Sequence, residues 1–141
     1  MNWKMIWRII AYTLLIEAVL MVPALAISFG YQEMTVVYAY LASIAVIIVV
    51  AGVLLLVTKN SRKGFYARDG LVTAGLTWLA MSMLGCLPFW FSREIPSYVD
   101  CLFEMVSGFT TTGSSILTDV EAMSKGLLWW RSFSHWVGGM G

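Results

Sequence analysis

Apolar residues run almost unbroken from Met5 to Phe29, interrupted mainly by Arg8, Thr13, Glu17 and Ser28. A bilayer takes about 20 residues of helix to cross, so this run predicts a first span. Trp3 and Trp7 suit one interface, and Lys4 with Arg8 suits a cytoplasmic end. Pro23 removes a backbone donor and is expected to bend the far end of the helix. The alternative is a signal peptide with its cleavage site at Ala24-Leu25-Ala26. The length of the run, and Glu17 in its middle, speak against it. Val36 to Val57 is a second and cleaner span, rich in Val, Ile, Leu and Ala. Leu71 to Phe91 is the third, with Thr73, Gly75, Thr77, Ser82 and Gly85 giving it the composition of a helix packed on other helices. Pro88 is expected to end it, and Phe89, Trp90 and Phe91 to anchor it at the outer interface.

The pattern then changes. Ser97-Tyr98-Val99-Asp100, preceded by Pro96, has the form of a capping box at a helix start. Val99, Leu102, Phe103 and Val106 fall on one stripe, with Asp100, Glu104 and Ser107 on the opposite side. Gly108 is expected to end the helix in a left-handed conformation. About 11 residues at 1.5 Å each reach roughly 16 Å, half a membrane and no more. A hydroxyl-rich stretch follows, Ser107 to Leu117. Thr118 to Lys125 is polar and expected outside, where Asp119 and Glu121 either gather cations or form an ordinary solvated loop. From Leu127 a fourth apolar run begins, with Trp129 and Trp130 at the interface, and breaks off at Gly141 before it can cross. The sequence therefore reads as the front part of a longer protein, cut inside a fourth span.

Composition agrees with this pattern. The 141 residues are 60% hydrophobic and 12% charged, with mean hydropathy +0.80, well outside the range of soluble domains. The fold class expected is an all-α integral membrane protein: two N-terminal helices (residues 1–58), a basic loop (59–70) and an incomplete helix–pore loop–helix unit (71–141). Lys59, Arg62, Lys63 and Arg68 crowd that loop, whereas the turn from Gly30 to Thr35 has no positive charge. The contrast puts the N-terminus and the basic loop in the cytoplasm. A net charge of +1 says nothing about a polyanionic partner, but the nine basic residues gather between apolar runs as topology signals rather than forming a patch, so no nucleic-acid partner is expected. Cys86 and Cys101 are too few for a disulfide framework and lack metal-ligand spacing; Cys86 is expected to be a small packing residue.

Candidate chemistry sits in the polar stretch. Irregular backbone at membrane depth survives only where it is buried in protein or lines water. The carbonyls of Thr111, Thr112, Gly113 and Ser114 can replace the hydration shell of a dehydrated K+ ion, with glycine supplying dihedrals other residues avoid. The negative end of the half-length helix favours a cation at the same depth. Glu104 is expected either to brace the loop, paired with Arg131, or to reach outer water. Arg131 and His135 are otherwise packing and hydrogen-bonding residues, and Gly138, Gly139 and Gly141 allow close helix approach. Glu17 is either a functional carboxylate or, as preferred here, a protonated or hydrogen-bonded packing residue between helices. Ser114 or Ser115 with His135 could in principle serve a hydrolase, but no nucleophile elbow or HExxH motif supports it, and an enzyme is not expected. A non-conducting membrane subunit or scaffold is the more serious alternative.

Phe103-Glu104, the run Ser107-Gly108-Phe109-Thr110-Thr111-Thr112-Gly113 and the ending His135-Trp136-Val137-Gly138-Gly139-Met140-Gly141 resemble the TrkH/KtrB/HKT superfamily of potassium transporters. The likeness is nearest to the bacterial TrkH branch, whose chains carry two extra N-terminal helices. In that family four helix–pore loop–helix units enclose one pore, so the resemblance covers this sequence but only the first third or less of such a protein. It implies K+ uptake across the bacterial cytoplasmic (inner) membrane by a multi-pass protein, with K+ as the transported ion and no organic cofactor in this chain. The partners implied are the lipid bilayer, a second copy in a homodimer and a cytosolic nucleotide-binding regulatory subunit. Filter positions fall on Thr111, Thr112, Gly113 and Ser114, with Thr110 bracing the loop from below. Gly113 matches the glycine that accompanies K+ selectivity; in some plant relatives a serine in the first loop accompanies Na+ preference, which keeps a Na+-permeable relative as an alternative. The family's gating loop lies in a later unit.

Overall fold

A computed structural model describes residues 3–60, 64, 66–93, 95, 97–114 and 124–140. Six helices follow one another among them: α1 (Trp3–Gly30), α2 (Met34–Val57), α3 (Ala67–Gly85), α4 (Leu87–Phe91), α5 (Tyr98–Phe109) and α6 (Lys125–Met140). Three stretches, Trp3–Gly30, Met34–Val57 and Ala67–Phe91, are long and apolar enough to cross a membrane. The fold is that of an all-α membrane protein.

The first two helices form an antiparallel hairpin closed by a tight turn, in which Gln32 takes a left-handed φ of 58°. The covered residues follow helical spacing: Ile6, Ile10, Leu14, Glu17, Met21 and Ala24 on α1, and Val36, Tyr40, Ser43, Ile47 and Ala51 on α2. Large apolar side chains such as Ile16, Val19, Val22, Ile48, Val49 and Val53 point outward. Water would penalise such a surface, whereas a lipid solvent accepts it. The helix of α1 continues through Pro23.

Sequence and structure differ in local detail. The third span is two helices rather than one. It starts at Ala67, four residues before Leu71, because the Asp69 carboxylate accepts a hydrogen bond from the Tyr66 backbone N–H at 3.3 Å and holds the first turn. It breaks at Cys86, and Pro88 opens α4 instead of ending the span. Proline lacks the N–H that would bond the Leu84 carbonyl, and its ring crowds that oxygen. In the second place, Ser97 is the N-cap of α5 but makes no side-chain cap bond, so the expected capping box does not form.

The structure also decides which face of α5 is covered. The apolar stripe is outside, with Val99 at 71% and Phe103 at 48% exposure, while Glu104 is at 1%. Cys101, Met105, Ser107, Gly108 and Phe109 share the covered face. The polar side of this helix is turned to protein, as expected when the surrounding medium is apolar and buried polar groups must find partners within the fold.

Direction is set by a few contacts. The Tyr98 hydroxyl donates to the Met83 carbonyl at 2.8 Å, and the rings of Trp78 and Phe109 lie 5.6 Å apart, so α5 runs antiparallel to α3. Against α6 it runs parallel, with Glu104 beside Arg131 and Phe109 beside Gly138. The indole of Trp130 donates to the Gly85 carbonyl at 2.9 Å and ties α6 to the end of α3. The start of α6 lies at the α1–α2 turn, where the Lys125 amide donates to the Glu33 carboxylate. Thirteen residues separate Lys125 from Gly138, about 20 Å of helix. The C-terminal end of α5 therefore lies about that far from the α1–α2 turn, less than the thickness of a hydrocarbon layer of about 30 Å.

Candidate functional site

The polar loop begins where α5 stops. Three backbone bonds wind up the last turn: Thr110 N–H to the Val106 carbonyl at 2.9 Å, Thr111 N–H to Gly108 at 3.1 Å and Thr112 N–H to Ser107 at 3.0 Å. These satisfy carbonyls that a helix C-terminus otherwise leaves open. The left-handed residues are Thr111, at φ 57°, and Gly113, at φ 79°, not Gly108, which stays within the helix. A β-branched residue in that conformation is strained and persists only when its surroundings hold it there.

Several side chains hold it. The Ser107 hydroxyl donates to the Ser114 carbonyl at 2.6 Å, bridging the two ends of the loop. The Thr110 hydroxyl donates to the Val106 carbonyl at 2.7 Å and lies 2.8 Å from the Thr112 hydroxyl. Residues Thr110 to Ser114 are all exposed. Among the described residues, a Cβ built on Gly113 meets nothing within 4 Å. The Ser114 carbonyl, although bonded to Ser107, retains a second lone pair. Among the described residues no group of three His, Cys, Asp or Glu side chains could hold a metal. The loop's oxygens are backbone and hydroxyl oxygens, the hard donors that suit an alkali cation.

Behind the loop, α5 and α6 meet through polar and glycine contacts. Arg131 Nε donates to Glu104 Oε2 at 3.0 Å, with the carboxylate fully covered and the guanidinium nearly so. Neither charge sits unpaired in a low-dielectric seam. His135 Nδ1 donates to the Arg131 carbonyl at 3.0 Å, and the Ser134 hydroxyl donates to the same carbonyl at 2.6 Å. A Cβ on Gly108 would collide with the Ser134 hydroxyl, and one on Gly138 would collide with the Phe109 carbonyl. These glycines set the distance at which α6 supports the loop's base. Gly139 has looser surroundings, its nearest neighbour being the Thr111 methyl group at 3.9 Å.

Ser107 was legible only as a member of a hydroxyl-rich run; its spacing of seven residues from Ser114 carries no signal that the two bond. Asp119, Glu121 and Ser115 lie outside the described residues, as do Arg62, Lys63, Pro96 and Gly141. Glu17 is completely buried, and among the described residues neither of its carboxylate oxygens has a hydrogen-bond partner. The hydrogen-bonded form of the packing role expected for it is therefore not what the structure shows.

Comparison with known proteins fits this architecture. The family described as TrkH, cation transport protein, matches residues 4–141. The chain is 30% identical over its whole length to the Trk system potassium uptake protein TrkH of Halomonas elongata, of which it covers 29%. It is 29% identical over 86% of its length to the Trk system potassium uptake protein TrkG of Escherichia coli, of which it covers 25%. A segment making up 50% of the chain is 42% identical to an uncharacterized cation transporter of Methanocaldococcus jannaschii, covering 15% of that protein. The chain thus spans between about a seventh and a third of the length of these relatives. With the family match extending over nearly every residue, this chain belongs to the TrkH family of cation transport proteins.

Proposed function

We propose that the complete protein carries K+ inward across the cytoplasmic membrane through a channel-like pore, and that this chain supplies its first selectivity-filter loop. The observation that carries the proposal is the loop itself: Gly113, left-handed and in open space, at the end of a 12-residue helix that stops within membrane depth. The carbonyls of Thr111, Thr112, Gly113 and Ser114 are the ion ligands. Thr110 and the Glu104–Arg131 pair support them from behind. A single loop provides a quarter of the ligand ring, and the other three come from later units of the full chain. The relatives are named as potassium uptake proteins, which favours K+ over Na+ as cargo and transport over an enzymatic role.

In this proposal residues 1–58 are an accessory hairpin, 59–70 a cytoplasmic basic loop and 71–141 the first pore unit, with the N-terminus inside. An inside-negative potential drives entry, worth about 2.3 kcal/mol per charge per 100 mV. A homodimer and a cytosolic nucleotide-binding regulatory subunit complete the assembly that the family resemblance implies. Replacing Gly113 with Ser in the full-length protein tests the filter. The added side chain disfavours the left-handed conformation by about 1–2 kcal/mol and should lower the K+/Na+ permeability ratio in proteoliposomes. An unchanged ratio would refute the filter assignment, and absence of K+ or Rb+ flux in the unmodified protein would favour a scaffold instead.

A further inference from the structure

The N-terminal hairpin precedes the pore unit in sequence and contributes nothing to the loop, yet it grips one peptide unit of α6 from every side. Glu33, in the α1–α2 turn, accepts the Lys125 amide at 2.9 Å and the Gly126 amide at 3.3 Å through its two carboxylate oxygens. The buried Tyr40 hydroxyl, about two helical turns further on, donates to the Gly126 carbonyl at 2.8 Å. On the remaining side, a Cβ at Gly126 would collide with the Ser28 hydroxyl and lie 3.1 Å from the Ala24 carbonyl oxygen. The N–H, the C=O and the missing side chain of one residue are thus each met by the hairpin. A carboxylate on the first amides of a helix satisfies donors that have no intrahelical partner and complements the positive end of the dipole.

We propose that the α1–α2 hairpin is a positioning clamp for the filter, with Glu33 and Tyr40 as positioning residues that fix the height of α6 and hence of the loop's base. Contact makes the coupling direct: Gly138, at the foot of α6, bears on the Phe109 carbonyl at the base of the loop. The clamp sets where that helix sits. The inference rests on the filter reading above, so its test has one arm that depends on ion flux and one that does not.

In the full-length protein, amide hydrogen exchange at Lys125 and Gly126 should speed up roughly fivefold in Glu33→Ala, the loss of a helix cap, and recover in large part in Glu33→Gln, which keeps an acceptor at the same reach. In proteoliposomes Glu33→Ala should raise the KM for Rb+ and lower the K+/Na+ permeability ratio, again with recovery in Glu33→Gln. Unchanged exchange overturns the clamp. Faster exchange with unaltered KM and permeability ratio overturns its positioning of the filter. Should Glu33→Ala fail to reach the membrane, Tyr40→Phe removes a single hydroxyl and is read the same way. Absence of Rb+ flux in the unmodified protein would count against the transport reading alone, leaving exchange to decide the clamp.

Discussion

Glu17 on α1 and Glu104 on α5 are equally hidden, at 0% and 1% exposure, but their surroundings have little in common. Glu104 lies in a seam built of directional contacts: the Arg131 guanidinium, the Ser134 and His135 bonds to the Arg131 carbonyl, and glycines at Gly108 and Gly138 that bring two helices together. Glu17 packs where α1 meets Gly85 of α3 and Met105 of α5, and its oxygens have no hydrogen-bond partner among the described residues. The first site specifies a geometry through directional contacts; the second shows none among the described residues. A carboxylate at membrane depth is thus a functional signal when the fold supplies a partner, and depth alone does not distinguish the two.

Replacing each carboxylate with a side chain of similar volume separates them most strongly. Glu104→Met leaves Arg131 largely buried without its partner and should destabilise the protein by about 3–5 kcal/mol, seen as a lowered unfolding midpoint of the full-length protein in detergent. Adding Arg131→Met should return much of the loss. The glycines give the next contrast. Gly138→Ala drives a methyl group into the backbone carbonyl of Phe109, which cannot move without moving the base of the loop, and should cost about 1–3 kcal/mol and, on the proposed function, ion selectivity. Gly85→Ala meets Glu17 Oε1 at 2.5 Å and the Met105 methyl at 3.2 Å, both ends of flexible side chains, and should cost less than about 1 kcal/mol. The smallest expected effect has the opposite sign. Glu17→Met removes an unpartnered polar group and should raise stability by about 1 kcal/mol without changing flux; a loss comparable to that of Glu104→Met would erase the distinction between the sites.

The spans were legible because solvent transfer acts on a long run of residues at once, and two dozen apolar side chains outweigh any local irregularity. The half-length helix and the polar loop were legible for the same reason, as an interruption too short to cross and too polar to face lipid. Local signals were less faithful. Ser97-Tyr98-Val99-Asp100 gave the right N-cap and the wrong hydrogen bond, while Pro88 gave the right break with its role reversed. The stripe of Val99, Leu102, Phe103 and Val106 showed that α5 has two faces. It could not say which one is covered, because in an apolar medium the hydrophobic face has no reason to turn inward.

Sequence by itself therefore determined the class of protein, the number of membrane-length helices and the position of the loop, all of which follow from transfer free energies summed along the chain. Tertiary structure alone decided what stands behind that loop. Ser107 meets Ser114 across a turn, Trp130 meets Gly85 across 45 residues, and Glu33 reaches Gly126 across 93. Such bonds depend on where separate helices come to rest against one another, and a linear pattern of polarity carries no information about that placement.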